Sequence, residues 1–485
     1  MSTSATAAGV DVSPDHFICG SRVASDERFE VRSPIDESLL AEVARGGERE
    51  AELAVQAAEA AFPGWAALGP SGRAPYLRRL AGLIDENVER LARVECLDMA
   101  MLERSLQARV IPRAARNYRS YAELAEGHVE RTWSSNGTAN RVLRMPSGPA
   151  VVIAPWNAPF MLSTWKTAPA LAAGCTVILK PPEWAPLSCS ILADLAAEAG
   201  FPPGVLNVVQ GIGEEAGAAL VRHPRVRRVS FTGSSETGRL IAASAGRNLV
   251  PFTAELGGKS PLVVFADADL DAAGTKAALM YDDSGQNCMA GTRILVEDAI
   301  ADAFLERFHA AADMHVLGDP RDEQTTISPL IHRDHLERVA GFVERARANG
   351  DRILRGGRPA ARGGLWYEPT LIAPRSNDSE IVQREVFGPV LCLQTFRGED
   401  EAVALANGTE YGLAATVWTR SRARAERIGR AIRAGTVWVN TFLVRDLTAP
   451  FGGIGLSGVG REGGDYALDF YSDLKTLQIL EGSVE

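Results

Sequence analysis

Between residues 150 and 255 the chain alternates continuous apolar segments with helical patterns, and this alternation constrains the fold more than any other feature. The apolar segments lie at 150–154, 176–179, 205–209 and 226–231. The helical patterns lie at about 159–173, 188–200, 213–222 and 235–245. Apolar segments without polar alternation are typical of strands covered by helices on both faces of a parallel sheet. The stretch therefore predicts a doubly wound α/β unit, in which ligands bind beyond the carboxyl ends of the strands.

Two further patterns follow from the rest of the chain. Strand-like segments predict a second α/β unit and recur at 261–265, 294–296, 390–393, 415–418 and 436–439. Residues 128–146 instead predict a β-hairpin, because Asn136-Gly137 between two alternating runs is typical of a tight turn. A last strand-like stretch lies at 475–480. A hairpin that projects from an α/β unit is more often an assembly arm than a catalytic part.

The N-terminal part is expected to be mainly helical. Two short strands are predicted at 29–34 and 39–44. Helices are predicted at 48–62 and at about 71–105 and 109–127. Pro63-Gly64 is expected to end the first of these helices, because proline lacks the amide that a helix interior needs.

Composition excludes several classes of protein. With 485 residues, 46% of them apolar and 23% charged, the chain is long enough for two or three globular domains. A net charge of −10 argues against nucleic-acid or anionic-membrane partners. Neither a signal peptide nor an apolar run long enough to span a bilayer is present. The six cysteines are scattered without metal-ligand spacing, so we expect a cytoplasmic protein with no metal site.

The stretch 284–291, Ser-Gly-Gln-Asn-Cys-Met-Ala-Gly, predicts a loop that presents the thiol of Cys288. A helical pattern precedes this loop and a buried strand, 293–297, follows it. Small residues on both sides leave room for a substrate. A packed, inert cysteine is the alternative interpretation.

Two polar residues near strand ends suit carbonyl chemistry. Asn157 follows the first apolar strand, and its amide could donate to an oxygen that becomes anionic during attack. Glu255 precedes the second unit and could act as a general base for water. Each also has a structural interpretation, since Asn157 could close a turn and Glu255 could form an ion pair.

Several motifs suit a dinucleotide. Lys180 and Glu183 follow a strand, where a carboxylate can bind a ribose diol and repel a 2′-phosphate. Residues 211–217, Gly-Ile-Gly-Glu-Glu-Ala-Gly, are one residue too long for the usual glycine motif. Residues 231–234, Phe-Thr-Gly-Ser, open another helix, whose amides could face phosphate or a water molecule. Glu385 and Phe387 pair a carboxylate with an aromatic ring on a turn.

Together these motifs resemble the aldehyde dehydrogenase family, and they occur in the family's order over nearly the whole chain. The matching stretches are Pro155-Trp-Asn157, Lys180-Pro-Pro-Glu183, Phe231-Thr-Gly-Ser234, Glu255-Leu-Gly-Gly-Lys-Ser-Pro261, Gly285-Gln-Asn-Cys288, Glu385-Val-Phe-Gly-Pro389 and Pro450-Phe-Gly-Gly453. The resemblance implies an NAD-binding domain (1–127 and 147–258), a catalytic domain (259–450) and an oligomerisation arm (128–146 and 466–485). It also implies a homodimer or homotetramer.

The resemblance assigns a role to individual residues. It makes Cys288 the nucleophile, Asn157 the oxyanion donor and Glu255 the base. The residues that it places at the cofactor are Ile153, Pro155, Trp156, Lys180, Glu183, Gly213, Gly217, Phe231, Gly233, Ser234, Thr237, Leu256, Gly257, Glu385 and Phe387. The expected cofactor is NAD rather than NADP, because Glu183 would meet a 2′-phosphate with like charge.

The region from Val439 to Leu447 resembles the muconic semialdehyde dehydrogenases, which implies a carboxylated substrate. The residues expected at the substrate are Arg445, Arg119, Trp165 and Asp282. Arginine suits a carboxylate, although Arg445 could instead pair with Asp446. Asp282 and Asp283 would favour a cationic aldehyde such as an aminoaldehyde.

Other functions remain open from the sequence. In a CoA-acylating semialdehyde dehydrogenase, CoA rather than water would resolve the thioester. In a cysteine hydrolase a histidine would activate the thiol, and the nearest candidates are His309 and His315. A non-catalytic protein that retains the fold is a further alternative.

Overall fold

The computed structural model describes residues 5–482, and its largest sheet has eight strands. Their order is Gly458–Val459, Phe252–Glu255, Arg228–Thr232, Pro149–Ile153, Thr176–Lys180, Leu206–Val208, His16–Ile18 and Ser21–Val23. The five central strands run parallel, and the flanking strands pair antiparallel. Buried apolar side chains cover both faces of the sheet. The predicted doubly wound parallel sheet is confirmed.

A second sheet has seven strands. Their order is Arg352–Arg355, Thr370–Ala373, Val390–Phe396, Arg293–Glu297, Pro261–Val264, Ala414–Trp418 and Thr436–Val439. All neighbours pair in parallel except the first strand, which is antiparallel. Each of the five segments predicted in this unit forms a strand.

A separate three-stranded antiparallel sheet contains Arg131–Ser135, Thr138–Pro146 and Ser472–Leu480. The predicted turn has left-handed residues at Asn136 and Gly137. Two-stranded pairs complete the β structure: Ala5–Ala7 with Val10–Val12, Arg28–Arg32 with Leu39–Ala44, and Tyr411–Gly412 with Ile454–Gly455. Residues 1–4 and 483–485 of the predicted domain and arm lie outside the described residues.

Helices fill both faces of the two large sheets. The α-helices are Glu48–Ala67, Gly69–Glu86, Val88–Met99, Glu103–Ser105, Ile111–Glu126, Pro159–Ala173, Leu187–Glu198, Ala218–Arg222, Ser235–Arg247, Leu270–Ala278, Ala301–Ala312, Arg333–Ala348, Glu380–Gln383, Gly398–Ala406, Arg422–Ala431 and Gly464–Phe470. Leu106–Val110 and Gly213–Gly217 are π-helical, and Leu279–Gly285 and Asp298–Ile300 are 3₁₀.

The predicted end of the first helix at Pro63-Gly64 is wrong. The helix continues to Ala67 because its last turn has partners outside the helix. Trp65 is buried and donates its indole N–H to the Leu171 carbonyl at 3.1 Å. Arg73 donates to the Trp65 and Ala66 carbonyls at 3.4 and 3.1 Å. These contacts satisfy backbone groups that would otherwise favour ending the helix earlier.

Two other helix predictions need correction. The helix expected at 71–105 is broken at Asn87 and again at Ala100, which is left-handed. The helix expected at 213–222 begins as a π-helical turn, Gly213–Gly217. No helix within residues 5–482 is both long and apolar enough to cross a membrane.

Candidate active site

Most of the predicted site residues lie at one edge of the eight-stranded sheet. Ile153, Lys180 and Glu255 are each the last residue of a parallel strand, and Phe231 is the second-last residue of another. The carboxyl ends of parallel strands meet at one edge, where helix N-termini also point. The topology therefore brings together residues that are up to 102 positions apart in sequence.

The loop of residues 284–291, called here the cysteine loop, carries Cys288, which is half-buried. Asp283, Ser284 and Gly285 all have left-handed backbones, with φ of 51°, 54° and 66°. A side chain at Gly285 would collide with the Gly388 carbonyl. Glycine is therefore required where the cysteine loop packs against the turn that carries Glu385 and Phe387.

The predicted oxyanion donor Asn157 lies beside the cysteine loop. Its Nδ2 donates to the Gln286 carbonyl at 3.0 Å, two residues before Cys288. A primary amide has two N–H groups, so one remains to bind a ligand. The bond to Gln286 fixes the orientation of the amide relative to the thiol.

Glu255 is buried and close enough to Cys288 for its charge to affect the thiol. Neither of its carboxylate oxygens has a hydrogen-bond partner among residues 5–482. Burial raises the pKa of Glu255 well above its usual range; Glu462 raises it further, and Lys166 and Arg445 oppose both effects. An unpaired buried carboxylate of raised pKa is a good proton acceptor.

Burial also raises the pKa of Cys288, to about 12. The Glu385 and Glu255 carboxylates add to this shift, and Arg445 opposes it. Within the described residues Cys288 has no histidine partner. His315 instead contacts the Ala278 carbonyl and the Thr326 hydroxyl. The histidine-activated thiol of a cysteine hydrolase is absent from this part of the chain.

Five of the predicted cofactor residues form one cradle. Lys180 is buried, and its Nζ donates to Glu183 at 2.8 Å. A Cβ at Gly213 would lie 3.9 Å from the Glu183 carboxylate, and one at Gly217 would lie 3.8 Å from Lys180 and 3.9 Å from Ile153. Burial alone would raise the pKa of Glu183, but Lys180 outweighs it and holds the pKa below the usual value. The glycines leave open space beside a charged carboxylate.

A second group of predicted cofactor residues surrounds Glu385. Glu385 Oε1 accepts a hydrogen bond from the Gly258 amide at 2.8 Å, and its carboxylate fills the space that a side chain at Gly257 would need. The Phe387 ring meets Trp156 edge to face, with centroids 5.2 Å apart. Pro155 is half-buried just before Trp156.

The remaining predicted cofactor residues lie beside the same edge of the sheet. Ser234 caps helix Ser235–Arg247 by accepting a hydrogen bond from the Thr237 amide at 3.1 Å. The Gly233 amide donates to the Glu255 carbonyl at 3.1 Å. Leu256 packs against Gly238 on the same helix. Ser234 and Thr237 are exposed, so polar groups face solvent at this helix N-terminus.

Arg445 lies beside the cysteine loop, with its Nη1 3.9 Å from the Met289 sulfur. Its guanidinium lies over the Phe451 ring at 3.5 Å and over the Trp165 ring at 5.5 Å. The alternative ion pair with Asp446 does not form, because Asp446 accepts hydrogen bonds from Thr448. Trp165 itself is buried and donates to Glu462 at 2.6 Å.

Arg119 is not brought to the site. It forms an ion pair with Asp85 at the protein surface. Arg113, which the sequence interpretation missed, lies over the same Trp165 ring as Arg445, at 5.5 Å. Its Nε is buried without a partner in the described chain, and burial with the nearby Arg445 charge lowers its pKa to about 10.

Helical spacing could have identified Arg113. It shares a face of helix Ile111–Glu126 with Asn117 and Tyr121, four and eight residues later, and both are buried. Tyr121 contacts Trp165 edge to face at 6.1 Å, so this face points to the site. Arg119 lies on a different face.

Asp282 lies at the start of the left-handed segment before the cysteine loop. Burial raises its pKa to about 7, Asp283 adds to the shift, and Arg109 and Arg104 oppose it. Its predicted contact with the substrate stays a prediction.

Comparison with known proteins agrees with the geometry. The model of the aldehyde dehydrogenase family matches residues 22–477. The chain is 42% identical to the 5-carboxymethyl-2-hydroxymuconate semialdehyde dehydrogenase of Escherichia coli over 463 residues, 93% of this chain and 98% of that protein. It is 40% identical to the 2-hydroxymuconic semialdehyde dehydrogenase of Pseudomonas sp. (strain CF600), over 95% and 98% of the two chains.

Solved structures agree as well. A variant of the indole-3-acetaldehyde dehydrogenase of P. syringae, in complex with NAD⁺, superposes with a TM-score of 0.95 at 39% identity, covering 97% of both chains. The family match spans most of the chain and includes every element that positions Cys288, Asn157 and Glu255. The chain therefore belongs to the aldehyde dehydrogenase family.

Proposed function

We propose that the chain oxidises a carboxylated semialdehyde of the muconic type to the dicarboxylic acid, with NAD⁺ as the oxidant. The observation that carries the substrate class is the pair of guanidinium groups on Trp165. Neither Arg113 nor Arg445 forms an ion pair within residues 5–482. Two unpaired cations held near a nucleophilic cysteine suit an anionic substrate, because each can donate two parallel hydrogen bonds to a carboxylate. In the proposal Arg113 takes the contact that the sequence had suggested for Arg119.

The residues at the sheet edge fit NAD⁺. Lys180 and Glu183 would hold the adenosine ribose over the open space at Gly213 and Gly217, and Glu385 and Phe387 would hold the nicotinamide end. When bound there, NAD⁺ supplies a hydride acceptor. The relatives named above include an NAD⁺ complex, which supports this choice.

The chain's own groups account for the rest of the reaction. The Cys288 thiol gives its proton to solvent water, its sulfur bonds to the aldehyde carbon, and the free Asn157 N–H with the Cys288 amide would hold the resulting oxyanion. Loss of hydride from the thiohemiacetal leaves the acyl group on sulfur as a thioester. Glu255 then takes a proton from water, which attacks the thioester and releases the acid.

Replacing either arginine of the pair should distinguish a carboxylated substrate from the alternative substrate classes. Arg113→Ala or Arg445→Ala should lower kcat/KM for 2-hydroxymuconic semialdehyde by about 10- to 100-fold, since each loses a hydrogen bond to a charged group worth roughly 1.5–3 kcal/mol. The kcat/KM for uncharged benzaldehyde should change little. Steady-state NADH absorbance with both aldehydes measures the difference, and Arg119→Ala is the matched control.

Two outcomes would contradict the proposed substrate class. One is an equal loss for both aldehydes, which would indicate a general packing role. The other is faster oxidation of a cationic aldehyde than of the carboxylated one, which would favour a role for Asp282 in binding an aminoaldehyde. Product analysis with and without CoA distinguishes hydrolysis from acylation of CoA.

Cofactor preference gives a second prediction. Glu183→Ser should lower the preference for NAD⁺ over NADP⁺ by about tenfold or more, because it removes a like charge from the 2′-phosphate while Lys180 stays. Kinetics with each cofactor measure the ratio. An unchanged ratio would show that the 2′-position lies away from Glu183.

We further propose a cytoplasmic homo-oligomer. The three-stranded sheet exposes large apolar side chains at Trp133, Met145, Leu474 and Leu477. Its edge strand, Arg131–Ser135, is exposed at every residue, and such edges are usually covered in the native assembly. All six cysteines are free, which favours a reducing compartment.

A further inference from the structure

Three consecutive carbonyls on the turn that carries Glu385 and Phe387 are held by one helix, Arg333–Ala348. Arg338 donates from Nη2 to the Glu385 carbonyl at 2.8 Å and from Nη1 to the Val386 carbonyl. His335 donates from Nε2 to the Phe387 carbonyl at 2.7 Å. The turn, residues 385–389, follows the four-residue helix Glu380–Gln383, and side chains rather than a helical ladder satisfy these groups.

The hydrogen bond from His335 to the Phe387 carbonyl defines which nitrogen of the imidazole carries the proton. A carbonyl only accepts, so Nε2 must carry hydrogen, and burial lowers the pKa of His335 to about 4. The ring is therefore neutral and fixed in one tautomer near neutral pH. It also packs against Trp156, with centroids 5.2 Å apart.

Phe387 needs such support because its backbone is left-handed, with φ of 60°. This conformation is unfavourable for a bulky residue, because its Cβ approaches the following carbonyl oxygen. The bond to His335 holds the Phe387 carbonyl in the orientation that aims the ring at Trp156.

The same stretch of chain also holds the cysteine loop. The Ile331 amide donates to Gln286 Oε1 at 3.0 Å, and the Ser284 hydroxyl donates to the Ser328 carbonyl. The turn and the cysteine loop touch directly where Gly388 meets Gly285. Residues 328–338 therefore contact both the loop that carries the nucleophile and the turn assigned to the nicotinamide end.

We propose that His335 and Arg338 are positioning residues that hold the Glu385–Phe387 turn in its position relative to Cys288. The inference rests on the proposed function, because it takes Glu385 and Phe387 to hold the nicotinamide end of NAD⁺. The two side chains act through the backbone of the turn. Removing them should displace the cofactor end from the thiol and leave the thiol itself in place.

The experiment compares Arg338→Met and His335→Leu with the control Arg347→Met. Arg347 is on the same helix and also donates to a backbone carbonyl, that of Gly357 at 2.9 Å, but to none of the residues 385–389. Three properties are measured: aldehyde oxidation with its isotope effect for a 1-deuterated aldehyde, hydrolysis of p-nitrophenyl acetate without cofactor, and the NAD⁺ dissociation constant by calorimetry.

For Arg338→Met and His335→Leu we expect kcat to fall by about 10- to 100-fold, the size of effect that a small misplacement of reacting groups produces. The deuterium isotope effect should rise because hydride transfer becomes slower than the other steps. NAD⁺ should bind more weakly, while ester hydrolysis, which needs only Cys288 and its neighbours, should stay within about twofold of the parent. The donor-preserving variants Arg338→Lys and His335→Gln should recover part of the loss.

A parallel loss of ester hydrolysis and oxidation would overturn the inference, because it would show that the two residues only stabilise the fold. An unchanged isotope effect and NAD⁺ affinity in Arg338→Met and His335→Leu would also overturn it. The same losses in the control Arg347→Met would overturn it as well. If the unaltered protein oxidises no aldehyde with NAD⁺, the proposed function itself fails. The two failures are therefore distinguishable.

Discussion

Replacement of Cys288 by alanine is expected to abolish both NADH formation from aldehydes and cofactor-independent ester hydrolysis. Both reactions need the sulfur as the atom that bonds to the carbonyl carbon, and removal of a catalytic nucleophile typically costs about four orders of magnitude or more. The fold should persist, because Cys288 is half-buried and alanine removes only the sulfur atom from its side chain. NADH absorbance and p-nitrophenol release measure the two activities.

The matched control is Cys19→Ala, which changes an exposed thiol that follows the strand His16–Ile18. It should leave both activities and the melting temperature close to those of the parent. Retention of NAD⁺-dependent oxidation in Cys288→Ala would show that another group attacks the aldehyde, and the proposed chemistry would be wrong.

Replacement of Glu255 by glutamine should separate the two halves of the reaction. The first turnover should still yield about one NADH per subunit, because thiol attack and hydride loss come before the proposed role of Glu255. Steady-state turnover should fall by about 10²- to 10⁴-fold, the usual contribution of a general base. Stopped-flow absorbance resolves the burst from the slow phase.

The glutamine substitution should not unfold the protein. Neither Glu255 oxygen has a hydrogen-bond partner in the described chain, and glutamine replaces a carboxyl group whose charged form burial disfavours without changing the shape of the side chain. Glu86→Gln, at the exposed end of helix Gly69–Glu86, is the control. Loss of the burst together with the steady-state rate would contradict the assignment, since it would place Glu255 before hydride transfer.

Much of the fold followed from periodicity alone. The continuous apolar segments predicted parallel strands, and parallel strands require their carboxyl ends to share an edge. That rule places Lys180 and Phe231 at one edge, whereas the strand Phe252–Glu255, which brings Glu255 to the same edge, was not predicted from the sequence.

Other features depend on contacts between distant parts of the chain. Pro63 did not end its helix, because Arg73 and the buried Trp65 hold the last turn. The left-handed backbones of Asp283 and Ser284 could not be predicted, because neither residue is glycine or asparagine. The contacts of the cysteine loop with Ser328 and Gly388 fix these backbones. Local propensity carries no information about such partners.

The arginines of the candidate site also could not be assigned from local sequence. A carboxylate-binding role suited several arginines in sequence, and only burial and aromatic contacts distinguish Arg113 from the ion-paired Arg119. Arg338 had no sequence signal at all, because its partners are backbone carbonyls 47 and 48 residues away.

In the proposed reaction Cys288 carries the acyl group while the substrate carboxylate faces the two arginines. This arrangement can be tested by mass spectrometry of the Glu255→Gln protein, quenched seconds after mixing with NAD⁺ and 2-hydroxymuconic semialdehyde. The peptide containing Cys288 should gain the mass of the muconoyl acyl group, and Arg445→Ala in the same background should slow its formation. An unmodified Cys288 peptide, or the acyl mass on another residue while NADH accumulates, would contradict it.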